Sequence, residues 1–208
     1  MTAAVDRVRF LALGDSYTIG EAVGESDRWP VLLAAKLRGL GIDVEEPVIV
    51  ARTGWTTDEL EAGIDAARPS GPFGLVSLLI GVNNQYRGRP VEEYALQFRE
   101  LVRRAIAFAG GRASRVIVVS IPDWGVTPFA SMSGRDVGRI GVEIDAFNAI
   151  ARTEAGRAGV AFVDITPGSK GAATDATLVA GDGLHPSGAM YEEWARAILP
   201  VSLRVLNS

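Results

Sequence analysis

Three groups in this chain have side chains suited to covalent chemistry at spacings that suggest cooperation. Ser16 closes the apolar run Phe10-Leu11-Ala12-Leu13 at the turn Gly14-Asp15-Ser16-Tyr17. The one histidine, His185, lies near the other end in Gly181-Asp182-Gly183-Leu184-His185-Pro186. A serine hydroxyl attacks poorly until a base takes its proton. His185 is the base available, and Asp182, three residues earlier, can accept its Nδ1 proton and leave Nε2 free to act. Pro186 restricts the backbone of His185 to extended conformations, which helps to hold the ring. Acyl transfer also needs donors for the tetrahedral oxyanion, each typically worth ~10²–10³ in rate. The N–H of Ser16, the N–H of Gly54 and the side-chain amide of Asn83 each follow an apolar run and can serve. Plainer readings stand beside these: a turn or capping hydroxyl for Ser16, a structural or surface role for His185, a turn glycine at Gly54 and an Asx turn at Asn83.

The elements that must bring these residues together are legible as alternating periods. Short apolar runs at 9–13, 47–51, 75–80, 115–121 and 160–165 read as buried parallel strands. Between them lie helical patterns. One begins near Trp29 with Pro30 in its first turn, carries Leu32, Leu33, Leu37 and Leu40, and stops at Gly41. A second is capped by Thr57 or Asp58 and runs to about Arg68. A third starts with Pro90 in its first turn, presents Val91, Tyr94, Ala95, Phe98, Leu101, Val102 and Ala105, and ends at Gly110-Gly111. A fourth presents Ile140, Ile144, Phe147 and Ala151. The last is capped by Ser187 and presents Met190, Trp194, Ala197 and Ile198. The stretches 17–27, 123–133 and 166–182 read as irregular loops. Five strands alternating with helices predict an α/β fold: one domain over 1–208, in three α/β/α layers around a five-stranded parallel sheet of flavodoxin-like type. In such sheets ligands sit beyond the carboxyl ends of the strands. Ser16, Gly54, Asn83, Asp123 and His185 all follow a predicted strand.

Four ordered segments together resemble the SGNH, or GDSL-type, esterase/lipase family. Gly14-Asp15-Ser16 resembles its nucleophile block, and Tyr17-Thr18-Ile19-Gly20 is close to the usual continuation. Gly54 in Arg52-Thr53-Gly54-Trp55-Thr56 resembles the glycine block, Gly81-Val82-Asn83-Asn84 the Gly-x-Asn-Asp block, and Asp182-x-x-His185 the terminal block. The resemblance implies Ser16 as nucleophile, His185 as base, Asp182 as its orienting carboxylate, and an oxyanion hole from Ser16, Gly54 and Asn83. It implies a cofactor-independent carboxylic ester hydrolase acting on a small-molecule ester. Within the family the alternatives are a lysophospholipase or thioesterase, a carbohydrate O-acetylesterase and an acyltransferase. Asn84 departs from the usual Asp, at a position read as structural. The rival from another class is a flavodoxin-like binding module without turnover.

Composition narrows the field further. A net charge of −4 with no basic stripe argues against nucleic acid as partner. The absence of cysteine excludes disulfides and thiolate chemistry, and with one histidine no transition-metal site and no cofactor is expected. No phosphate-binding loop and no Gly-x-Ser-x-Gly elbow occurs. The amino terminus lacks a basic segment leading into an apolar one, and the longest apolar stretch, 75–82, is too short to span a bilayer. A cytoplasmic protein without an integral membrane segment is therefore expected. Trp29, Trp55, Tyr86, Trp124 and Phe129 fall in or near the strand-end loops. Trp55 and Trp124, each just beyond a strand, are the residues expected to line a substrate pocket. Arg87 and Arg89 read as solvated charges flanking a helix. The short loops suggest an open cleft and short or soluble esters.

Overall fold

The computed structural model describes residues 7–207; the leader reading at Met1 to Asp6 lies outside them. Five strands, β1 (Phe10–Gly14), β2 (Val48–Ala51), β3 (Leu75–Leu79), β4 (Val116–Val119) and β5 (Ala161–Val163), form one parallel sheet in the order β2-β1-β3-β4-β5. All of β1, β3 and β4 is buried. That explains their nearly continuous apolar sequence, broken by Ser77 of β3: with helices over both faces there is no solvent side to call for alternate polar residues. Edge strands β2 and β5 are only partly buried.

Nine α-helical segments fill the intervals among the described residues: α1 (Ser16–Ile19), α2 (Trp29–Gly39), α3 (Thr57–Ala67), α4 (Val82–Tyr86), α5 (Val91–Phe108), α6 (Pro128–Met132), α7 (Val137–Arg157), α8 (Thr166–Ser169) and α9 (Gly188–Leu206). Helix α2 packs against α9, and α5 packs against both α3 and α7, giving two helical layers. The chain turns one way from β1 to β2 and the other way from β3 onward. The crevice at that switch is where this architecture accepts a ligand.

Register levels the strand ends. Gly14, the last residue of β1, pairs with Ala51 of β2 and Leu79 of β3. Ser16, Gly54 and Asn83 follow these three ends by two to four residues, so the sheet delivers them to one rim before any side chain is considered.

Several sequence expectations are corrected. Pro90 is the residue before α5 rather than inside its first turn. Thr56, not Thr57 or Asp58, precedes α3, and its N–H donates to Glu59 Oε2 at 2.9 Å in capping-box fashion. Leu40 lies beyond α2 and is exposed, because its position falls past the turn that faces the core. On α9 the buried neighbour of Trp194 is Ala195, and Ala197 faces solvent. The stretches read as loops hold short helical turns: α1 running into 17–27 from Ser16, α6 within 123–133 and α8 within 166–182. Four- or five-residue turns carry too little periodicity to be recognised in sequence.

Candidate active site

Ser16 is the first residue of α1, directly after the sheet. Asp15 caps that turn, its Oδ1 accepting the Tyr17 N–H at 3.0 Å. The Asp15 carboxyl is fully buried. Burial pushes its pKa up to about 7, against the lowering effect of the backbone N–H groups of Tyr17, Asp15 and Gly81. Tyr17 is also buried and its ring meets the His185 ring edge-on, with centroids 5.8 Å apart. Burial, then the charges of Asp15, Asp182 and Asp123, hold its phenol protonated.

His185 arrives on a loop. The loop is closed at its base by Ala180 N–H donating to His185 O (2.7 Å) and Ser187 N–H donating to Leu178 O (3.0 Å). Asp182 organises it from within. Oδ1 accepts the Leu184 N–H at 2.9 Å and the His185 N–H at 3.0 Å, while Oδ2 lies 2.6 Å from His185 Nδ1. Partial burial alone raises the Asp182 pKa, but the hydrogen bonds from the His185 ring and from those two N–H groups outweigh it and hold the carboxyl below its usual range. With Nδ1 committed to Asp182, Nε2 is the nitrogen left for chemistry.

The donor side is built from two loops tied together. Gly54 has φ +87°, a left-handed conformation that glycine adopts without strain. Arg87 donates to Gly54 O at 2.6 Å and to Glu59 Oε1 at 3.1 Å, fixing the loop after β2 to the start of α3. Asn83 donates from Nδ2 to Trp55 O at 2.9 Å, which uses one of its two amide protons. Asn84 is buried, accepts the Thr57 N–H at 3.1 Å and donates to Thr57 Oγ1 at 2.7 Å. It thus clamps the turn after β3 to α3, the structural role read for this position. Gly81 precedes the turn at φ +132°, where an added Cβ would stand 2.7 Å from the Tyr94 ring.

Ser16, Gly54, Asn83 and His185 all line one cavity of about 220 Å³. Trp124 lines it as well. Trp55 does not: its ring lies over Gly63 of α3, where a Cβ would come within 2.1 Å of it. Its contribution to the cleft is the carbonyl that holds Asn83, so the expectation of a pocket-lining ring at Trp55 is corrected. Proximity to a strand end placed both tryptophans at the rim but could not say which way a ring turns. Tyr17, Thr53, Val82, Tyr86, Phe129 and Leu184 complete the lining. Tyr86 and Phe129 were legible as loop aromatics; the others carry no sequence signal beyond adjacency to the motif residues. Arg87 and Arg89 are not merely solvated, since Arg89 pairs with Asp58 at 2.7 Å and Glu93 at 3.2 Å, and Arg87 holds Gly54 as described. Among the described residues no group of three or more His, Asp or Glu is placed to hold a metal ion, and no helix is long and apolar enough to cross a membrane.

The strand order and the cleft at the carboxyl edge of the sheet define a three-layer α/β/α protein with its site at the topological switch. The chain belongs to the GDSL-like lipase/acylhydrolase family, whose model matches residues 12–193. Among solved structures, TesA superposes with a TM-score of 0.75 at 19 % identity, over 95 % of this chain and 99 % of that one. The psychrotrophic esterase EstA from Pseudoalteromonas sp., in a structure inhibited by monoethylphosphonate, gives 0.69 at 17 %, over 96 % and 99 %. Axe2 W215I, an acetyl xylan esterase from Geobacillus stearothermophilus, gives 0.71 at 19 %, over 97 % of each chain. At these identities the likeness is one of fold. No curated protein matches the chain in sequence.

Proposed function

We propose that the protein is a serine esterase that hydrolyses short or aryl carboxylic esters through a Ser16–His185–Asp182 triad. The observation that carries this reading is the gathering of Ser16, Gly54 and Asn83, from three strand ends, and His185, from the loop before α9, on one small cavity. In the proposed reaction Ser16 Oγ attacks the ester carbonyl carbon while His185 Nε2 takes its proton. The charge on the carbonyl oxygen is met by the N–H groups of Ser16 and Gly54 and by the unspent amide proton of Asn83. The tetrahedral species collapses, the C–O bond to the alcohol breaks, and imidazolium returns the proton to the departing oxygen. Water, deprotonated by the same nitrogen, then releases the acid from Ser16. Asp182 keeps the ring in the tautomer that both halves require.

The inhibition of the EstA fold relative by monoethylphosphonate suggests the direct test. A fluorophosphonate probe should label this protein at Ser16, and Ser16→Ala should abolish labelling. Well-folded protein that resists the probe would leave the non-catalytic binding reading. A second ester class, O-acetylated carbohydrate, is favoured by the small cavity together with the acetyl xylan esterase among the fold relatives. A panel of p-nitrophenyl esters of increasing acyl length run beside acetylated xylo-oligosaccharides separates the two.

A further inference from the structure

The cavity at Ser16 has a neighbour. A second cavity of about 350 Å³ is lined by Gln85, Gly88, Arg135, Arg139, Ile140 and Glu143, among others. Side chains of the two linings are in direct contact. Tyr86 and Trp124 face the first cavity; Gln85 and Arg135 face the second. Tyr86 and Trp124 meet edge-on with centroids 5.5 Å apart.

The outer pair is bound to the inner pair at specific atoms. Gln85 is buried, its Oε1 accepts the Trp124 Nε1–H at 2.9 Å, and its Nε2 donates to Glu143 Oε2 at 2.7 Å. Glu143 is in turn held by Arg139 Nε at 2.7 Å. The Arg135 guanidinium lies 4.4 Å from the centroid of Tyr86 and 5.8 Å from that of Trp124, and it donates to Tyr86 O. Other tryptophans are not treated this way. The buried Nε1 atoms of Trp29 and Trp194 have no hydrogen-bond partner among the described residues. Trp124, the tryptophan that lines the first cavity, has a dedicated acceptor.

We infer that Gln85 and Arg135 are positioning residues that fix Tyr86 and Trp124 as the end wall of the substrate cleft and so restrict the apolar group of the ester to a short chain. This rests on the esterase reading only for its turnover arm. The cavity of about 220 Å³ lies below the ~300–1,000 Å³ of sites that take drug-sized ligands. Releasing the wall joins it to the second cavity, where a longer chain gains room.

The test compares Gln85→Ala and Arg135→Ala with the unaltered protein on p-nitrophenyl acetate, butyrate and octanoate. Arg135 is exposed, so that variant should fold even if removing the buried glutamine disturbs folding. The expected result is a rise of about tenfold or more in the octanoate-to-acetate ratio of kcat/KM, carried by KM and growing with chain length. Since Gln85 acts through the indole N–H, the effect of Gln85→Ala should shrink in a Trp124→Phe background, a coupling that general loosening would not produce. The same ranking is read without turnover by titrating acetate, butyrate and octanoate into Ser16→Ala protein with and without Arg135→Ala, using calorimetry. An unchanged chain-length ranking in binding overturns the wall. A shifted ranking in protein that hydrolyses no ester and resists the fluorophosphonate keeps the wall and overturns the esterase reading.

Discussion

Ser16 and His185 meet at one cavity on opposite kinds of support. Ser16 stands just after a fully buried interior strand of the sheet, and its turn is capped by a buried carboxyl. His185 stands on a loop before α9, and three of the contacts that shape that loop go to one carboxylate, that of Asp182. The support for Ser16 is thus spread over the hydrophobic core, while that for His185 is concentrated in one side chain. The two carboxyls differ in the same sense. Asp15 is deeply buried with its pKa raised to about 7, whereas Asp182 is more than a third exposed with its pKa lowered.

The largest effect is expected at Ser16. Ser16→Ala should lower turnover by ~10⁴–10⁶ while leaving the melting temperature nearly unchanged, since the core and not the hydroxyl holds this turn. Steady-state kinetics beside thermal melting checks both halves, and a decrease of only a few-fold would remove Ser16 from its assigned role. Next comes the concentrated support. Asp182→Asn keeps an acceptor for the two backbone N–H groups but no longer dictates the tautomer, so a loss of ~10²–10⁴ in kcat is expected. Asp182→Ala should lose more and should also increase amide hydrogen exchange across 180–186. If both variants retain near-full activity, the idea of one organising carboxylate fails.

On the donor side, Asn83→Ala should cost ~10²–10³ in kcat with little change in KM, as expected for a contact that strengthens in the transition state. The smallest effect concerns stability. For Asp15 the folded pKa lies above the ordinary carboxyl value of 3.8, so the protonated form favours folding. Its contribution is complete below about 3.8 and is lost as pH rises through about 7. Asp15→Asn, which can still accept the Tyr17 N–H, should lack that loss. Its melting temperature relative to the unaltered protein should therefore climb by several degrees between about pH 4 and pH 8, at ~2–4 °C per kcal/mol. Asp182 carries the opposite sign. Its contribution is present above the unfolded value and lost as pH falls through the lowered one, and exposure keeps it modest. A flat difference curve for Asp15→Asn would show that the two carboxyls are not opposed.

Much of the site was legible because its residues fall at places where local patterns end. A buried strand must stop at a turn, and the types found there (Gly14-Asp15-Ser16, Gly81-Val82-Asn83) are unusual enough to be noticed. The Asp182-x-x-His185 contact is local, since three residues is a span that one loop closes by itself. The five strands and the larger helices followed from periodicity for the same reason.

What the chain alone could not fix is where side chains go once distant elements pack. The ring of Trp55 turns onto Gly63, and Arg87 binds the carbonyl of Gly54. Gln85 binds the indole of Trp124, thirty-nine positions away. Each depends on a rotamer chosen by neighbours that the sheet order brings close, and sequence periodicity contains no term for that choice. Composition and local pattern determined the layered parallel sheet and the residues available at its rim. The tertiary structure decided which of them share a cavity, because level strand ends and packed helices set distances that linear spacing leaves free.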